Sequence, residues 1–242
     1  MRRLVLVPLV HDEADMGTAG PVLLSETVSL AGPERWAGHV DTLTRYWTEV
    51  SAFLGRSDPS RLALYQDGLP VGGSMGRSVV EEASRRGSRN YRLLLELIDR
   101  GAQLRRTEDP ELLRLEYDLV AHETSTARLT GDKRDEQRTA PDPEKRALLL
   151  RERDEFIART IDSTLKEGEV GVLFLGAEHQ ATARLAPDII VQPLKDPLLV
   201  RAYFRALLTP GHDRERMRLA SYLAAPIAVD ATWNGAGGIP AV

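Results

Sequence analysis

Two short apolar runs, each ending abruptly in a histidine next to a carboxylate, constrain this chain more than any other feature. The first is Leu4-Val5-Leu6-Val7-Pro8-Leu9-Val10-His11-Asp12-Glu13, and the second is Val170-Gly171-Val172-Leu173-Phe174-Leu175-Gly176-Ala177-Glu178-His179. Each run is the length of a buried strand and is flanked by polar residues. In open α/β sheets, ligands bind outside the carboxyl ends of the strands. Two strands that deliver His and Glu to that edge predict one site, for a metal or for proton transfer.

The segments between these runs alternate in the same way. Trp36, Val40, Leu43, Trp47, Val50 and Leu54 recur at spacings of three and four, the pattern of an amphipathic helix. Residues 61–65 read as a second strand that runs into Gln66-Asp67-Gly68, and residues 103–106 as a third that runs into Thr107-Glu108-Asp109-Pro110. Residues 188–191 read as a last strand. Helical sequence is expected from about 78 to 100 with a break near Gly87, from Pro110, from about 144 to 166, from 196 to 208 and from 213 to 223. Asp109 and Asp196, each followed by proline, are candidate helix caps. The glycine-rich stretch Gly72-Gly73-Ser74-Met75-Gly76 is expected to be a plain loop, since it carries no phosphate-binding pattern. Strands alternating with helices predict an α/β fold with a mainly parallel sheet flanked by helices.

A chain of 242 residues with 42% hydrophobic content can bury a sizeable core. Residues 1–227 are expected to form a single α/β domain, with a mobile segment at 130–143 and a flexible tail at 228–242. The formal net charge of -4 and interspersed charges give no reason to expect nucleic acid as partner. There is no cysteine, so disulfides, thiolate metal sites and a cysteine nucleophile are excluded. Lack of cysteine is compatible with a cytoplasmic protein. Arg2 and Arg3 before an apolar run imitate a signal peptide, but the run contains Pro8 and meets His11, Asp12 and Glu13 instead of small residues. No apolar stretch approaches the roughly 20 residues of a membrane span.

The candidate site residues follow from the strand ends. His11 and His179 are candidate metal ligands, and the competing reading is a pair of structural histidines. Asp67 and Glu108 could add oxygen ligands, completing a shell of two histidines and two carboxylates, although both also suit turns and caps. Glu178 and Glu13 are candidate general bases, against a role as first-turn glutamates. Arg153 and Asp154 lie in the long helix, and Asp154 falls within the apolar stripe of Leu150, Phe156, Ile157, Ile161 and Leu165. Buried charges need partners. Arg153 is therefore expected to hold an anionic group with Asp154 orienting it, or the two form a structural ion pair. His39, His122 and His212 have no convergent partners in the sequence and are read as incidental. Trp36 and Trp47 are read as core residues, with a homo-oligomer face as the alternative.

The second half also carries an ordered pattern: Arg153-Asp154 on a helix, Gly168, a strand over 170–175, and Gly176-Ala177-Glu178-His179. This order resembles the TraB/Tiki superfamily, which also gathers erythromycin-esterase-like and ChaN-like proteins. Members carry two GxxH motifs; here the first position reads Pro8-Leu9-Val10-His11, with proline in place of glycine. The resemblance implies an α/β core with the two histidines brought together. Activities in that superfamily range from metal-dependent peptide cleavage through ester hydrolysis to haem binding. The expectation is a metal-dependent hydrolase of peptide or ester bonds that uses a divalent ion. Its rival is a non-catalytic protein that holds haem, a metal or a small anion in the same cleft.

Overall fold

The computed structural model describes residues 1–9, 28, 31–129 and 143–228, apart from the side chains of 120–129. His11, Glu13, most of the segment expected to be mobile, and all but the first residue of the expected tail lie outside the described residues. The strands are β1 (Arg2–Leu9), β2 (Leu62–Gln66), β3 (Gln103–Leu104), β4 (Val170–Gly176) and β5 (Ile189–Pro193). The α-helices among the described residues are α1 (Pro33–Leu54), α2 (Gly73–Arg85), α3 (Arg89–Asp99), α4 (Pro110–Leu129), α5 (Pro143–Thr164), α6 (Pro197–Leu208) and α7 (Asp213–Ala224).

The strands form one sheet in the order β3-β2-β4-β1-β5, and every pairing is parallel. The fold is therefore α/β, as the alternation of strands and helices predicts. Parallel neighbours end at the same edge. In register, Leu9 lies opposite Gly176, and Gln66 lies opposite Phe174. The ends of β1, β4, β2 and β3 thus stand side by side.

Strand alternation divides the core into two layers. On one face Val5, Val7, Leu9, Leu64, Val172 and Phe174 pack against Tyr46, Trp47, Val50 and Phe53 of α1, Leu93, Leu94 and Leu97 of α3, and Val200 and Tyr203 of α6. On the other face Leu4, Leu6, Ala63, Tyr65, Leu173 and Leu175 pack against Ile157 and Ile161 of α5 and the following Leu165. Ile157 and Ile161 are fully buried, each contributing roughly 1.5–3 kcal/mol. That burial fixes the rotation of α5 and so the direction of its polar residues. The Tyr46 hydroxyl donates to the Pro8 carbonyl at 2.7 Å, tying α1 to the end of β1.

The helix starts follow cap chemistry. Asp196 Oδ1 accepts from Leu198 N–H at 2.8 Å before Pro197 opens α6. Asp109 Oδ1 accepts from Glu111 N–H at 2.8 Å ahead of α4. One expectation fails: the stretch from Gly73 to Gly76 is the first turn of α2, not a loop. Gly72, just before it, is a close-approach residue, since a Cβ there would stand 2.8 Å from the Arg106 backbone nitrogen. These glycines let α2 start hard against the end of β3. No described helix is long and apolar enough to cross a membrane.

Candidate functional site

Three adjacent strand ends supply the site. Asp67 follows β2, Glu108 follows β3 by four residues, and His179 follows β4 by three. Their turns are held by backbone bonds. Asp67 N–H donates to Phe174 O at 2.9 Å, and His179 N–H donates to Gly176 O at 3.1 Å. Gly68, with φ +75°, lets the chain reverse immediately after Asp67.

Helix α5 contributes two neighbouring charges that go to different partners. Arg153 and Asp154 are both buried, 4% and 3% exposed. Arg153 Nη2 donates to Asp67 Oδ1 at 2.8 Å and to Glu108 Oε1 at 2.5 Å, while its Nε reaches Glu108 Oε2 at 3.4 Å. Its Nη1 donates to both oxygens of Glu116, each at 2.7 Å. Asp154 does not orient Arg153. Its Oδ1 lies 2.7 Å from His179 Nδ1, and its Oδ2 accepts from Gln180 N–H at 2.9 Å. The reason is geometric: consecutive helix residues point about 100° apart and do not face each other.

The imidazole therefore has one nitrogen committed and one directed inward. With Nδ1–H donated to Asp154, Nε2 faces Asp67 Oδ2 at 3.6 Å. Asp67 Oδ2 also accepts from Gly176 N–H at 2.9 Å. One oxygen or nitrogen each from Asp67, Glu108 and His179 lies within 4.8 Å of the others. All three come from strand ends named in the sequence.

Carboxylates outnumber the cations they contact in this cluster, and Arg146 lines the same cleft. Asp67, Glu108, Glu116 and Asp154 share the Arg153 guanidinium and one imidazole. Burial pushes Glu108 up to about 7 even though Arg153 opposes the shift, and the Asp67 charge adds to it. Burial by itself would lower His179, but Asp67 and the hydrogen bond to Asp154 outweigh it and leave the imidazole above its ordinary value. Glu108 and His179 therefore hold their protons more tightly than isolated groups of their kind.

Part of this cluster lines a cleft of about 780 Å³. Asp67, Glu116, Arg153 and His179 line it, with Leu9, Leu113, Leu150, Val200 and Phe204 as apolar walls. Glu178 lines the same cleft but stands at its rim. Its side chain is 69% exposed and lies 3.1 Å from Arg201 Nε, away from the buried charge cluster. Arg201 also donates to Ala177 O from Nη2 at 2.5 Å. His11 and Glu13 are outside the described residues, although Leu9, two residues before His11, lines the cleft.

The sequence reading missed Glu116, Arg201 and the pair Gln66 and Asn90. Glu116 falls in an ordinary helical stretch, and nothing local marks it as the partner of a residue 37 positions away. Of the other histidines, His39 is fully buried, with Nδ1 2.9 Å from the Tyr203 hydroxyl, and His212 pairs with Glu215 on the surface. The side chain of His122 is not described. Trp47 is a core residue and Trp36 is half-buried, its ring 4.9 Å from His39. No family model, curated protein or solved structure matches the chain.

Proposed function

We propose that the cleft is the active site of a hydrolase for peptide or ester bonds, assisted by a divalent metal ion. The observation that carries this reading is the line Asp154–His179–Asp67, of which His179 and Asp67 line the cleft. A metal-binding imidazole characteristically gives its other N–H to a carboxylate, and Asp154 holds His179 in that manner. The donor set of one imidazole nitrogen and carboxylate oxygens suits a borderline divalent ion. Arg153 bonds Asp67 Oδ1 and Glu108 Oε1 and Gly176 N–H bonds Asp67 Oδ2, while one ligand atom each from Asp67, Glu108 and His179 still lies within 4.8 Å of the others. The Arg-Asp, strand and GxxH order, which resembles that of the TraB/Tiki superfamily, supports the same reading.

A bound ion would lower the pKa of a coordinated water toward neutrality and polarise a carbonyl. The chain's own residues do the rest. Asp154 fixes the imidazole tautomer, and Arg153 with Gly176 N–H fixes Asp67. Acting as base for the attacking water requires Glu178 to leave Arg201 and turn from the rim toward the buried cluster. Arg153 stays charged and holds Asp67, Glu108 and Glu116 in place around the centre.

A metal-free version has one observation in its favour: Arg153 already bonds both carboxylates. There His179, poised by Asp154, would itself take the proton from water. The test is a panel of peptide and ester substrates assayed with parent, His179→Ala and Asp67→Asn, each with and without chelator. The proposal predicts turnover that falls roughly 100-fold or more in both variants and on chelation. Turnover that survives chelation but not His179→Ala would favour the metal-free version. Equal turnover in all samples would remove the cleft from the chemistry.

A further inference from the structure

Gln66 and Asn90 form a directed chain of carboxamides beside the charge cluster. Gln66 Nε2 donates to the Asp67 carbonyl at 3.1 Å. That bond fixes the Gln66 amide, so its Oε1 must be the acceptor for Asn90 Nδ2, at 3.0 Å. The Asn90 amide is fixed in turn, because reversing it would set oxygen against oxygen. Its Oδ1 is then committed as an acceptor. That atom is buried and has no hydrogen-bond partner, and Asn90 is 1% exposed. Both Gln66 and Asn90 line the cleft, where the first turn of α3 meets it.

A buried acceptor without a donor costs about 1–3 kcal/mol, so most such atoms in folded proteins are satisfied. Asn90 forms part of the cleft wall, and a ligand that opens the contact over its Oδ1 meets an acceptor in want of a donor. We propose that Asn90 is a specificity residue whose Oδ1 accepts an amide N–H from the bound molecule. The cleft therefore takes peptide-like substrates in preference to molecules with no N–H at that point. This inference rests on the hydrolytic reading of the same cleft and selects the amide over the ester. The apolar walls formed by Leu9, Val200 and Phe204 on one side and Leu113 and Leu150 on the other receive an apolar side chain of that substrate. In the hydrolysis, the water oxygen bonds to the carbonyl carbon. The C–N bond breaks with its electron pair going to nitrogen, which gains the proton, leaving a carboxylic acid and an amine. The N–H held by Asn90 is a neighbouring one that stays intact.

The test measures binding alone, by protein-detected NMR titration. One probe is N-acetyl-L-leucine dimethylamide, which has a single N–H. The other is its N-methyl counterpart, which has none. Parent protein is expected to bind the first roughly 10- to 100-fold more tightly. Asn90→Ala is expected to erase that preference while still binding both probes weakly through the apolar walls. A structural role for Asn90 would weaken both probes equally and leave their ratio unchanged, which would overturn the proposal. So would failure of the parent to bind either probe. Asn90→Ser, which keeps a small acceptor, guards against misfolding in the alanine variant and is expected to retain part of the preference. Probe selectivity without any peptide turnover would keep Asn90 as a recognition residue and defeat the hydrolase reading instead.

Discussion

Arg153→Met tests the electrostatic frame of the site, because methionine keeps the apolar stem and removes only the guanidinium. The change deletes the bonds to Asp67, Glu108 and Glu116. Asp67, 9% exposed, and Glu108, fully buried, then keep their charges with no arginine between them. Breaking a buried pair by removing one partner costs roughly 3–5 kcal/mol. Protonation offsets part of this, and the pH dependence follows. In the parent Glu108 is raised from an ordinary value of 4.5 to about 7. A raised carboxyl contributes stability that is fully present below the unfolded value and is lost as pH rises through the folded value. At about 1.4 kcal/mol per unit, the parent loses about 3 kcal/mol from this group between those two points. Without Arg153, Glu108 moves higher still, so the loss continues above neutral pH. Urea unfolding followed by circular dichroism should show Arg153→Met destabilised by about 4 kcal/mol at pH 8 and by about half of that at pH 5. Adding Glu108→Gln to Arg153→Met should recover stability at pH 8. A cost below about 1 kcal/mol, or one equal at both pH values, would refute the reasoning.

Other perturbations have equally definite outcomes. Burial lowers His39 from 6.5 to about 4, so it adds stability above its unfolded value that is lost as pH falls toward the folded one. The amount is about 3 kcal/mol, and the corresponding slope in unfolding free energy between pH 7 and pH 4 should vanish in His39→Gln. Asp154→Asn removes the carboxylate that holds and charges the imidazole. The His179 pKa, followed by its ring-proton NMR signal, should fall, and activity should drop roughly 10- to 100-fold; an unchanged titration would sink that assignment. Gly72→Ala places a Cβ against the Arg106 backbone, which cannot swing aside as a side chain could. Thermal melts should report a loss of about 1–3 kcal/mol, and an unaltered midpoint would show that the approach at α2 is looser than described.

The parts of the site carried by strand ends were legible in the sequence, and those carried by helix faces were not. Asp67 and His179 each follow an apolar run that breaks into a turn, and Glu108 follows the short stretch 103–106, which is marked mainly by the turn and cap sequence after it. Their meeting depends on the order β3-β2-β4-β1-β5, which brings together residues up to 112 positions apart and leaves no local mark. The burial of Asp154 was readable from the stripe that contains Ile157 and Ile161. The partners of Arg153 and Asp154 were not, because adjacent positions on a helix diverge and each met a group from a different segment. Glu178 and His179 also part, in the turn that follows β4. One leans on Arg201 at the rim, and the other faces Asp67. Asn90 carried no signal at all, since the first turn of a helix commonly holds polar residues, and only its unpaired oxygen distinguishes it.

Metal analysis most directly tests the central claim, that His179 and Asp67 together hold a divalent ion at the sheet edge. Parent, His179→Ala, Asp67→Asn and the rim variant Glu178→Gln would be purified without chelator, reloaded with zinc or manganese, dialysed and measured by elemental mass spectrometry. A stoichiometric ion in the parent and in Glu178→Gln, lost from His179→Ala and from Asp67→Asn, is the predicted result. No retained ion in any sample, or equal retention in all four, would contradict it.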